Sequence, residues 1–431
     1  MSTNKTSVTV YYNEKKSCSL SAEFLKIRSR WWYLLPIFLN IIGGVIAYYA
    51  LRKDDYAKAK KALILGIILL GVGATFAVAT AYLVLYMSSH QLPEAGQQFL
   101  LSDSVKEVIR ENVDNGKHPA LFVGMIDENG IQQYYYGHKA VGEDPINENT
   151  IFEIGSVSKV FTSLLLADMI EKGEVSLNDP IDKFLPENVQ APSYNERKIT
   201  LLDLVIHTSG LPRWPDGFPI ENINEQYEYD REELYDYLAN VELSREIGSE
   251  YSYSNIGVSL LGHILSLQAG QSYEELLKER VLDKFGMENT CVKRCDELRD
   301  QFGKPSLLGF QMNEINLSDD LAGAGEIRSS GKDMLSFLSY AMGLKDSDLK
   351  NSFELTQKVN RQIDDQLSIG LGWHMTHEDD RMTIWHNGAT NGFTSFVGFD
   401  PESNRGVVVL SNSLIIVDDI GVWLLAHGHT S

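Results

Sequence analysis

Two long stretches near the start of the chain contain no formal charge. Trp31 to Leu51 and Ala62 to Met87 are each long enough to cross about 30 Å of hydrocarbon as a helix. Aromatic residues flank the first stretch, with Trp31 to Tyr33 at one end and Tyr48 and Tyr49 at the other, which is typical of membrane interfaces. We therefore predict a tail at 1–30, two transmembrane helices within 31–87 joined by a basic loop at 52–61, and a linker at 88–99.

These stretches have two other interpretations, a cleaved signal peptide and a pair of buried core helices. Thirty residues precede the first stretch and a Lys/Arg-rich loop separates the two, which disfavours a signal peptide. That loop holds five Lys or Arg residues, whereas 88–104 holds none, so the positive-inside rule predicts that the large C-terminal domain is extracytoplasmic, anchored to the cell membrane. Basic residues before the first span, among them Lys16, Lys26, Arg28 and Arg30, weaken this orientation.

From residue 100 to residue 431 the hydrophobic pattern is that of one compact domain. Ser104–Asn115 has helical spacing, and Ala120–Ile126 and Ile131–Tyr136 flank an Asn-Gly turn, which predicts a β-hairpin. Further strands are predicted at Met382–Trp385, Thr394–Phe399 and Gly406–Ser411, and further helices at Val160–Lys172, Ile256–Ala269, Met334–Leu344 and Val417–His427. Strands at both ends with helices between them predict an α/β (α+β) sandwich whose sheet joins the two ends of the domain.

Composition indicates a folded and acidic protein. The chain has 431 residues, of which 43% are hydrophobic and 23% charged, so it is too apolar for a disordered protein. The net charge of −21 divides into +7 on residues 1–90 and −28 on the rest, which argues against nucleic acid as a partner of the larger part. Three cysteines exclude a dense disulfide framework, and the spacing of Cys291 and Cys295 fits either a disulfide or two thiols on one helix face.

Candidate chemistry starts in the segment Phe152 to Lys159, Phe-Glu-Ile-Gly-Ser-Val-Ser-Lys. A serine at the start of a helix and a lysine three positions on share one face, so a neutral Lys159 amine could take the proton of the Ser156 hydroxyl. The same spacing occurs three more times in the chain, so spacing alone is not specific. The distinguishing context is Gly155 before the serine and the apolar run Val160–Ile170 after it, which would bury the lysine and lower its pKa.

Two downstream segments supply groups that would complete such a site. Tyr253 and Asn255 lie before a predicted helix and offer a phenol for proton transfer and an amide that can hold the lysine or a substrate. Trp385 to Phe393, Trp-His-Asn-Gly-Ala-Thr-Asn-Gly-Phe, follows a strand, where glycines let a substrate backbone approach a sheet edge. Each segment also has an ordinary structural interpretation, a helix cap for Asn255 and a turn for Asn-Gly.

In this order and spacing, the three segments resemble the motifs of the serine β-lactamase and penicillin-binding-protein superfamily, in particular its class C β-lactamase branch. Leu201 to Pro212 matches a further family segment, and the resemblance covers 100–431. It implies a β-lactamase/transpeptidase-like fold, in which helices flank an antiparallel sheet beside a helical subdomain. It also implies that Ser156 is the nucleophile of an acyl-enzyme, that Lys159 and Tyr253 share the proton transfers, and that the backbone N–H groups of Ser156 and Ala389 form the oxyanion hole.

The substrate-binding positions implied by the resemblance are Asn255, His386 and Gly388. His386 departs from the penicillin-recognising members, which usually have a lysine there that helps to bind the substrate carboxylate. Histidine at this position resembles the esterase, peptidase and other non-lactamase relatives. A neutral imidazole would favour less anionic acyl substrates, whereas one with a pKa near about 6–7 would bind a carboxylate only when protonated.

The sequence predicts no metal site and no cofactor. His374 and His377, and also His427 and His429, are closely spaced, but no Asp, Glu or Cys accompanies them at zinc spacing. A Gly-x-Ser-x-Gly elbow is absent, which argues against an α/β-hydrolase. The glycine-bearing segment 323–330 resembles one at the active-site rim of the family, although its pattern alone predicts a plain loop.

These observations predict a membrane-anchored serine hydrolase that acts through a Ser156 acyl-enzyme on an ester or amide. A D-amino-acid peptide, a small ester and a β-lactam all fit as substrate, and membrane lipid is the other predicted partner, bound by 31–87. One alternative is a membrane-tethered sensor or binding protein of the same fold with little or no turnover. Another is a membrane scaffold that carries a relic of the domain.

Overall fold

The computed structural model describes residues 42, 45–52, 58–68, 101–215, 229–292, 295–307, 310–311, 319–378 and 381–427. The chain divides into two compact units, Met1–Gln91 and Leu92–Ser431. In the first unit, residues 45–51 and 58–68 are helical, so 58–61 belongs to a helix and not to the predicted loop. Lysine and alanine both favour helix, and 58–62 contains only these two residue types.

The predicted membrane spans, 31–51 and 62–87, lie largely outside the described residues. The predicted tail at 1–30 and linker at 88–99 lie entirely outside them. Among the helices that the structure does describe, none combines the length and the apolar character needed to cross a bilayer.

The second unit alternates short strands and helices along the chain. Its helices are α1 (Asp103–Asp114), α2 (Ser158–Glu171), α3 (Leu201–Val205), α4 (Arg231–Asn240), α5 (Asn255–Ala269), α6 (Tyr273–Leu277), α7 (Asp283–Phe285), α8 (Gly331–Ala341), α9 (Lys350–Thr356) and α10 (Asp418–His427). Its strands are β1 (Ala120–Asp127), β2 (Gly130–Gly137), β3 (Ile151–Glu153), β4 (Ser193–Tyr194), β5 (Arg197–Lys198), β6 (Cys291–Val292), β7 (Ser306–Leu307), β8 (Phe310–Gln311), β9 (Ile327–Ser330), β10 (Arg361–Gln362), β11 (Leu367–Ile369), β12 (His374–Glu378), β13 (Arg381–Ala389), β14 (Thr394–Asp400) and β15 (Arg405–Ser411).

Eight antiparallel strands form the central sheet in the order β10-β11-β12-β13-β14-β15-β1-β2. Strand β15, from the end of the domain, pairs with β1, from its start, and places Val409 opposite Val123. This pairing confirms the prediction that the sheet joins the two ends of the domain. The predicted hairpin is also present, with β1 and β2 paired from Ala120 to Gly137.

Helices cover both faces of the sheet. On one face, Ile109 of α1 and Leu424 of α10 are buried in a cluster with Leu121 of β1. On the other face, Phe122 of β1 and Leu335 of α8 belong to the larger core. Burial on both faces explains why β1 is a continuous apolar run instead of an alternating strand.

A smaller sheet, β3-β9-β6, leads the chain toward the candidate nucleophile. Arg328 of β9 and Glu153 of β3 are both buried and pair at 2.8 Å. Cys291 and Cys295 are joined by a disulfide bond. Because Cys291 lies in β6, hydrogen-bonded to β9, the alternative of two thiols on one helix face is wrong.

Helix α2 is the central helix of the domain core. Its side chains from Ser158 to Met169 are all buried. A helix that is enclosed on every side is typically apolar around its whole circumference, as Val160–Ile170 predicts. The same enclosure removes Lys159, in its first turn, from water.

Candidate active site

A tight turn presents Ser156 at the edge of the core. Strand β3 ends at Glu153, and a short 3₁₀ turn, Gly155–Val157, leads directly into α2. Gly155 has a φ of +50°, in the left-handed region that favours glycine, and a Cβ there would lie 2.8 Å from the backbone nitrogen of Ala389. Ser156 is half-buried. The turn therefore exposes part of the serine while it packs against the end of β13.

Lys159 is completely buried beside this serine. Its Nζ lies 3.2 Å from Ser156 Oγ, 2.8 Å from Asn255 Oδ1 and 2.7 Å from the main-chain oxygen of Ala324. Burial, and then the positive charge of Arg213, lowers the pKa of Lys159 well below its usual value. A neutral amine donates its two N–H groups to the two carbonyl oxygens, which leaves its lone pair for the hydroxyl hydrogen of the serine.

Asn255 is the first residue of α5, but Ser254 caps the helix. Ser254 Oγ accepts the backbone N–H of Gly257 at 2.9 Å. The Asn255 side chain instead accepts a hydrogen bond from Lys159. The helix-cap interpretation of Asn255 is therefore wrong, and its contact agrees with the lysine-holding role.

Tyr253 lies beside the nucleophile, where its hydroxyl interacts with the Ser156 side chain. Burial raises the pKa of Tyr253 to about 12, although the interaction with Ser156 and the charge of Arg213 lower it. Lys159 Nζ lies 4.9 Å from the centre of the Tyr253 ring. The serine thus stands between a phenol whose pKa is raised and an amine whose pKa is lowered.

His207 and Arg213 also belong to this site, although no motif in the sequence predicts a role for either residue. His207 has a φ of +59°, its ring centroid lies 4.5 Å from that of Tyr253, and its Nδ1 accepts the backbone N–H of Ser254 at 3.1 Å. The carbonyl oxygen of Arg213 accepts the backbone N–H of Asn255 at 3.0 Å. These contacts hold the loop that carries the tyrosine. The one signal for them in the sequence is the resemblance of 201–212 to a family segment, which includes His207 and ends next to Arg213.

The end of β13 packs against the turn that carries the nucleophile. A Cβ on Gly388 would lie 2.0 Å from the carbonyl oxygen of Ile154 and 2.5 Å from Ser395 Oγ. Packing against the turn therefore requires a glycine at this position. The space that a side chain would occupy is filled by protein atoms and is not open to substrate. The approach of Ala389 to Gly155 brings a second backbone segment to the turn, as the predicted oxyanion hole requires.

His386 is buried within the same strand. Its Nδ1 lies 2.6 Å from the main-chain oxygen of Asn387, and its ring centroid lies 6.5 Å from that of Tyr253. Burial lowers the pKa of His386 well below its usual value, and the charges of His374 and Lys159 lower it further. A neutral imidazole therefore fits this environment, and an imidazole that titrates near pH 6–7 does not.

His374 lies beside His386, whereas its sequence spacing suggested only a pairing with His377 in a zinc site. Its ring centroid is 5.0 Å from that of His386, and its Nε2 is 3.0 Å from the hydroxyl oxygen of Tyr251. Burial, together with the charge of Lys159, lowers the pKa of His374 to about 4. Within the described ranges, no three His, Cys, Asp or Glu side chains are grouped to hold a metal ion.

Comparisons with known proteins agree on the fold and on the type of chemistry. The family model described as "Beta-lactamase" matches residues 105–426. The "D-alanyl-D-alanine-carboxypeptidase/endopeptidase AmpH" of Escherichia coli (strain K12) is 26% identical over 301 residues, which cover 66% of this chain and 77% of that protein. A "Beta-lactamase" of the same strain is 25% identical over 349 residues, with coverage of 72% and 89%. The solved structure of a class C β-lactamase matches with a TM-score of 0.68 and 21% identity, over 77% of this chain and 97% of that one.

Proposed function

This chain belongs to the β-lactamase family and is a serine hydrolase, and we propose that it is membrane-anchored and forms an acyl-enzyme at Ser156 with an ester or amide substrate. The observation that carries the proposal is the contact between the Ser156 hydroxyl and the buried amine of Lys159. The names of the relatives, a D-alanyl-D-alanine carboxypeptidase and a β-lactamase, support a D-amino-acid peptide, a small ester or a β-lactam as the substrate type.

Acylation uses the neutral amine as the base. As Ser156 Oγ attacks the acyl carbon, the lone pair of Lys159 takes the hydroxyl proton, and the new C–O bond creates a tetrahedral oxyanion. The backbone N–H groups of Ser156 and Ala389 stabilise that charge. When the intermediate collapses, the leaving alcohol or amine takes a proton from Tyr253, which recovers one from the Lys159 ammonium.

Deacylation repeats these steps with water as the nucleophile. The water loses a proton to the Lys159 and Tyr253 pair as its oxygen bonds to the acyl carbon. The bond from that carbon to Ser156 Oγ then breaks, and the serine oxygen takes the proton back. Each cycle therefore restores the neutral lysine and the serine hydroxyl, and the acid product leaves.

Intact-protein mass spectrometry of the full chain tests the acyl-enzyme. We expect one fluorophosphonate adduct and one penicillin adduct on the wild-type protein and neither on Ser156→Ala. Ser347→Ala is a matched control, because Ser347 and Lys350 have the same spacing but Lys350 is exposed. Absence of both adducts from the folded wild-type chain would contradict the proposal. A penicillin adduct that never decays would favour the sensor alternative.

The two uncharged stretches, 31–51 and 62–87, support the membrane anchor. Exposed apolar side chains on the described helices also support it: Ile46 is 47% exposed and Ile67 is 51% exposed. The basic loop supports an extracytoplasmic catalytic domain. Washing membranes with alkaline carbonate tests the anchor, and protease added to intact cells tests the orientation. Release of the full chain by carbonate would contradict the membrane anchor. Protection of the catalytic domain from protease would contradict its extracytoplasmic orientation.

A further inference from the structure

The main-chain carbonyl of Ala324 lies on a segment that has no polar side chain to hold it in place. Ala324 ends the 3₁₀ turn Asp319–Ala324, and residues 321–324 of this turn read Leu-Ala-Gly-Ala and are all buried. A buried backbone of this kind depends on its surroundings for hydrogen bonds. Acylation as described above depends on this carbonyl, because it accepts an N–H of Lys159.

Thr162 of α2 holds the carbonyl group directly before that of Ala324. Its Oγ1 lies 2.6 Å from the main-chain oxygen of Gly323, and because this oxygen can only accept, the threonine hydroxyl donates. Oγ1 also lies 3.4 Å from the main-chain oxygen of Ser158, one turn earlier in α2, which is too long for a strong hydrogen bond. The single hydrogen of the Thr162 hydroxyl is therefore directed at Gly323.

The hydroxyl of Tyr273, in α6, completes this arrangement. It lies 2.6 Å from Thr162 Oγ1, whose own hydrogen points to Gly323, so the tyrosine is the donor. Tyr273 is 2% exposed, and burial raises the pKa of its hydroxyl, which therefore keeps its hydrogen. Two hydrogen bonds thus run in series, from Tyr273 to Thr162 and from Thr162 to the carbonyl of Gly323. Each bond in such a series strengthens the other.

Further contacts hold the same segment on both sides of Ala324. A Cβ on Gly262 of α5 would lie 3.0 Å from Gly323 Cα, so this helix packs closely against the segment. After Ala324, the backbone N–H of Ile327 donates to Ser158 Oγ at 3.1 Å. The stretch between Gly323 and Ile327 is therefore attached to α2 at each end, by the side chains of Thr162 and Ser158.

We propose that Thr162 and Tyr273 are positioning residues for acylation, which fix the Ala324 carbonyl and, through it, the amine of Lys159. The Gly323 carbonyl belongs to the peptide unit directly before that of Ala324, so fixing the first restricts the second. The Ala324 carbonyl in turn directs one N–H of Lys159 and leaves the lone pair facing Ser156 Oγ, 3.2 Å away. This inference rests on the proposed acyl-enzyme function at Ser156, and it adds two residues that act on that reaction only through Lys159.

Single-turnover acylation of the full chain by a fluorogenic ester tests the positioning role. Thr162→Val removes the hydroxyl but keeps the branched shape, and the rate at saturating ester should fall by about tenfold or more. The half-saturating ester concentration should change by less than about twofold, because Thr162 does not contact substrate. Thr162→Ser keeps the hydroxyl and should retain at least about half of the wild-type rate. Tyr273→Phe should slow acylation by about threefold or more, and less than Thr162→Val does, because Thr162 can still donate to Gly323.

Two control variants make the same chemical changes at other buried hydroxyl groups. Thr290→Val removes a hydroxyl that donates to Asp333 Oδ2 at 2.8 Å, in α8, and not to the segment that carries Ala324. Tyr134→Phe removes a hydroxyl that accepts from Arg110 Nε at 2.8 Å. Both should acylate at the wild-type rate, even where urea unfolding shows that they are destabilised as much as the test variants.

The wild-type rate in Thr162→Val would overturn the inference. A Thr162→Ser variant as slow as Thr162→Val would also overturn it, because the hydroxyl would not be the group that matters, and equal slowing in Thr290→Val would assign the effect to stability alone. If Thr162→Val does not fold, the wild-type rate in Tyr273→Phe overturns the inference. Fluorophosphonate labelling separates these outcomes from failure of the proposed function. A labelled Ser156 with unchanged rates contradicts only the positioning role, whereas an unlabelled and inactive wild type contradicts both.

Discussion

Lys159 Nζ donates a hydrogen bond of 2.7 Å to the main-chain oxygen of Ala324, which lies 165 residues later in the chain. One turn further along α2, Thr162 Oγ1 donates to the main-chain oxygen of Gly323 at 2.6 Å. Two successive carbonyl groups are therefore fixed against α2. Because they are held by packing, the acceptors for the Lys159 N–H groups are in place before substrate arrives.

Replacement of Lys159 by arginine tests the amine as a base. A guanidinium does not lose its proton near neutral pH, so Lys159→Arg should slow acylation by about 10²–10⁴-fold. Single-turnover kinetics with a fluorogenic ester measure this rate. Lys172→Arg is the control, because Lys172 ends the same helix and pairs with Asp168 at 2.8 Å, and it should retain the wild-type rate. A Lys159→Arg enzyme as fast as the wild type would exclude the lysine as the base.

Asn255→Asp should move the pH profile of the reaction. A carboxylate in place of the amide, whose oxygen lies 2.8 Å from Lys159 Nζ, favours the ammonium and raises the pKa of Lys159. Activity needs the neutral amine, so the ascending limb of kcat/KM should move to higher pH. Asn240→Asp, at the exposed end of α4, makes the same change away from the site and should leave the limb in place. If Asn255→Asp is active and its ascending limb of kcat/KM stays at the wild-type pH, Lys159 is not the group that must be neutral.

Two glycine substitutions separate packing from substrate access. Gly388→Ala would place a Cβ 2.0 Å from the carbonyl oxygen of Ile154, so the nucleophile turn must shift, and labelling of Ser156 by a fluorophosphonate should slow by about tenfold or more. A Cβ on Gly325 would lie 3.9 Å from its nearest neighbour, in Gly155, and Gly325→Ala should label at the wild-type rate. Equal labelling rates for the two variants would show that the packing of β13 does not position the turn.

His118 makes the domain sensitive to acid. Burial lowers the pKa of His118 from 6.5 to about 4, and its Nδ1 lies 2.8 Å from Ser411 Oγ. The unfolded chain takes up a proton below pH 6.5 while the folded chain does not, so stability falls as the pH drops from 6.5 toward about 4. Urea unfolding at pH 7 and at about pH 4.5 measures this loss. Of the decrease in the free energy of unfolding between the two pH values, about 2.5 kcal/mol should come from His118. In His118→Gln, the decrease in the free energy of unfolding should be smaller by that amount. A decrease as large as in the wild type would show that His118 is not the source of the acid sensitivity.

Much of the fold was predictable because its long elements carry many periodic positions. The hairpin of β1 and β2, the strands β14 and β15 and the helices α1, α2 and α5 all begin and end within a few residues of their predicted bounds. Strands such as β3, β6 and β10 have only two or three residues, too few for an alternation to show. Their positions depend on pairing with distant segments, which the pattern does not contain.

The parts of the candidate site that belong to a side-chain motif were predictable from the sequence. The parts that depend on contacts between distant segments were not. Ser156 and Lys159 occupy one face of a turn and the helix that follows, as their spacing predicts. The Ala324 carbonyl has no side-chain signature, because any residue offers the same acceptor. His374 joins the site through a neighbouring strand and through Tyr251, and neither relationship is contained in the local sequence.

The pH dependence of Ser156 labelling tests most directly whether a neutral lysine activates the serine. The labelling rate of the full chain with a fluorophosphonate can be followed by intact mass between about pH 6 and 8. Because burial lowers the pKa of Lys159, we predict a rate that rises by much less than tenfold per pH unit over this range. A rate that rises by about tenfold per pH unit would show a lysine with an ordinary pKa and would contradict the account.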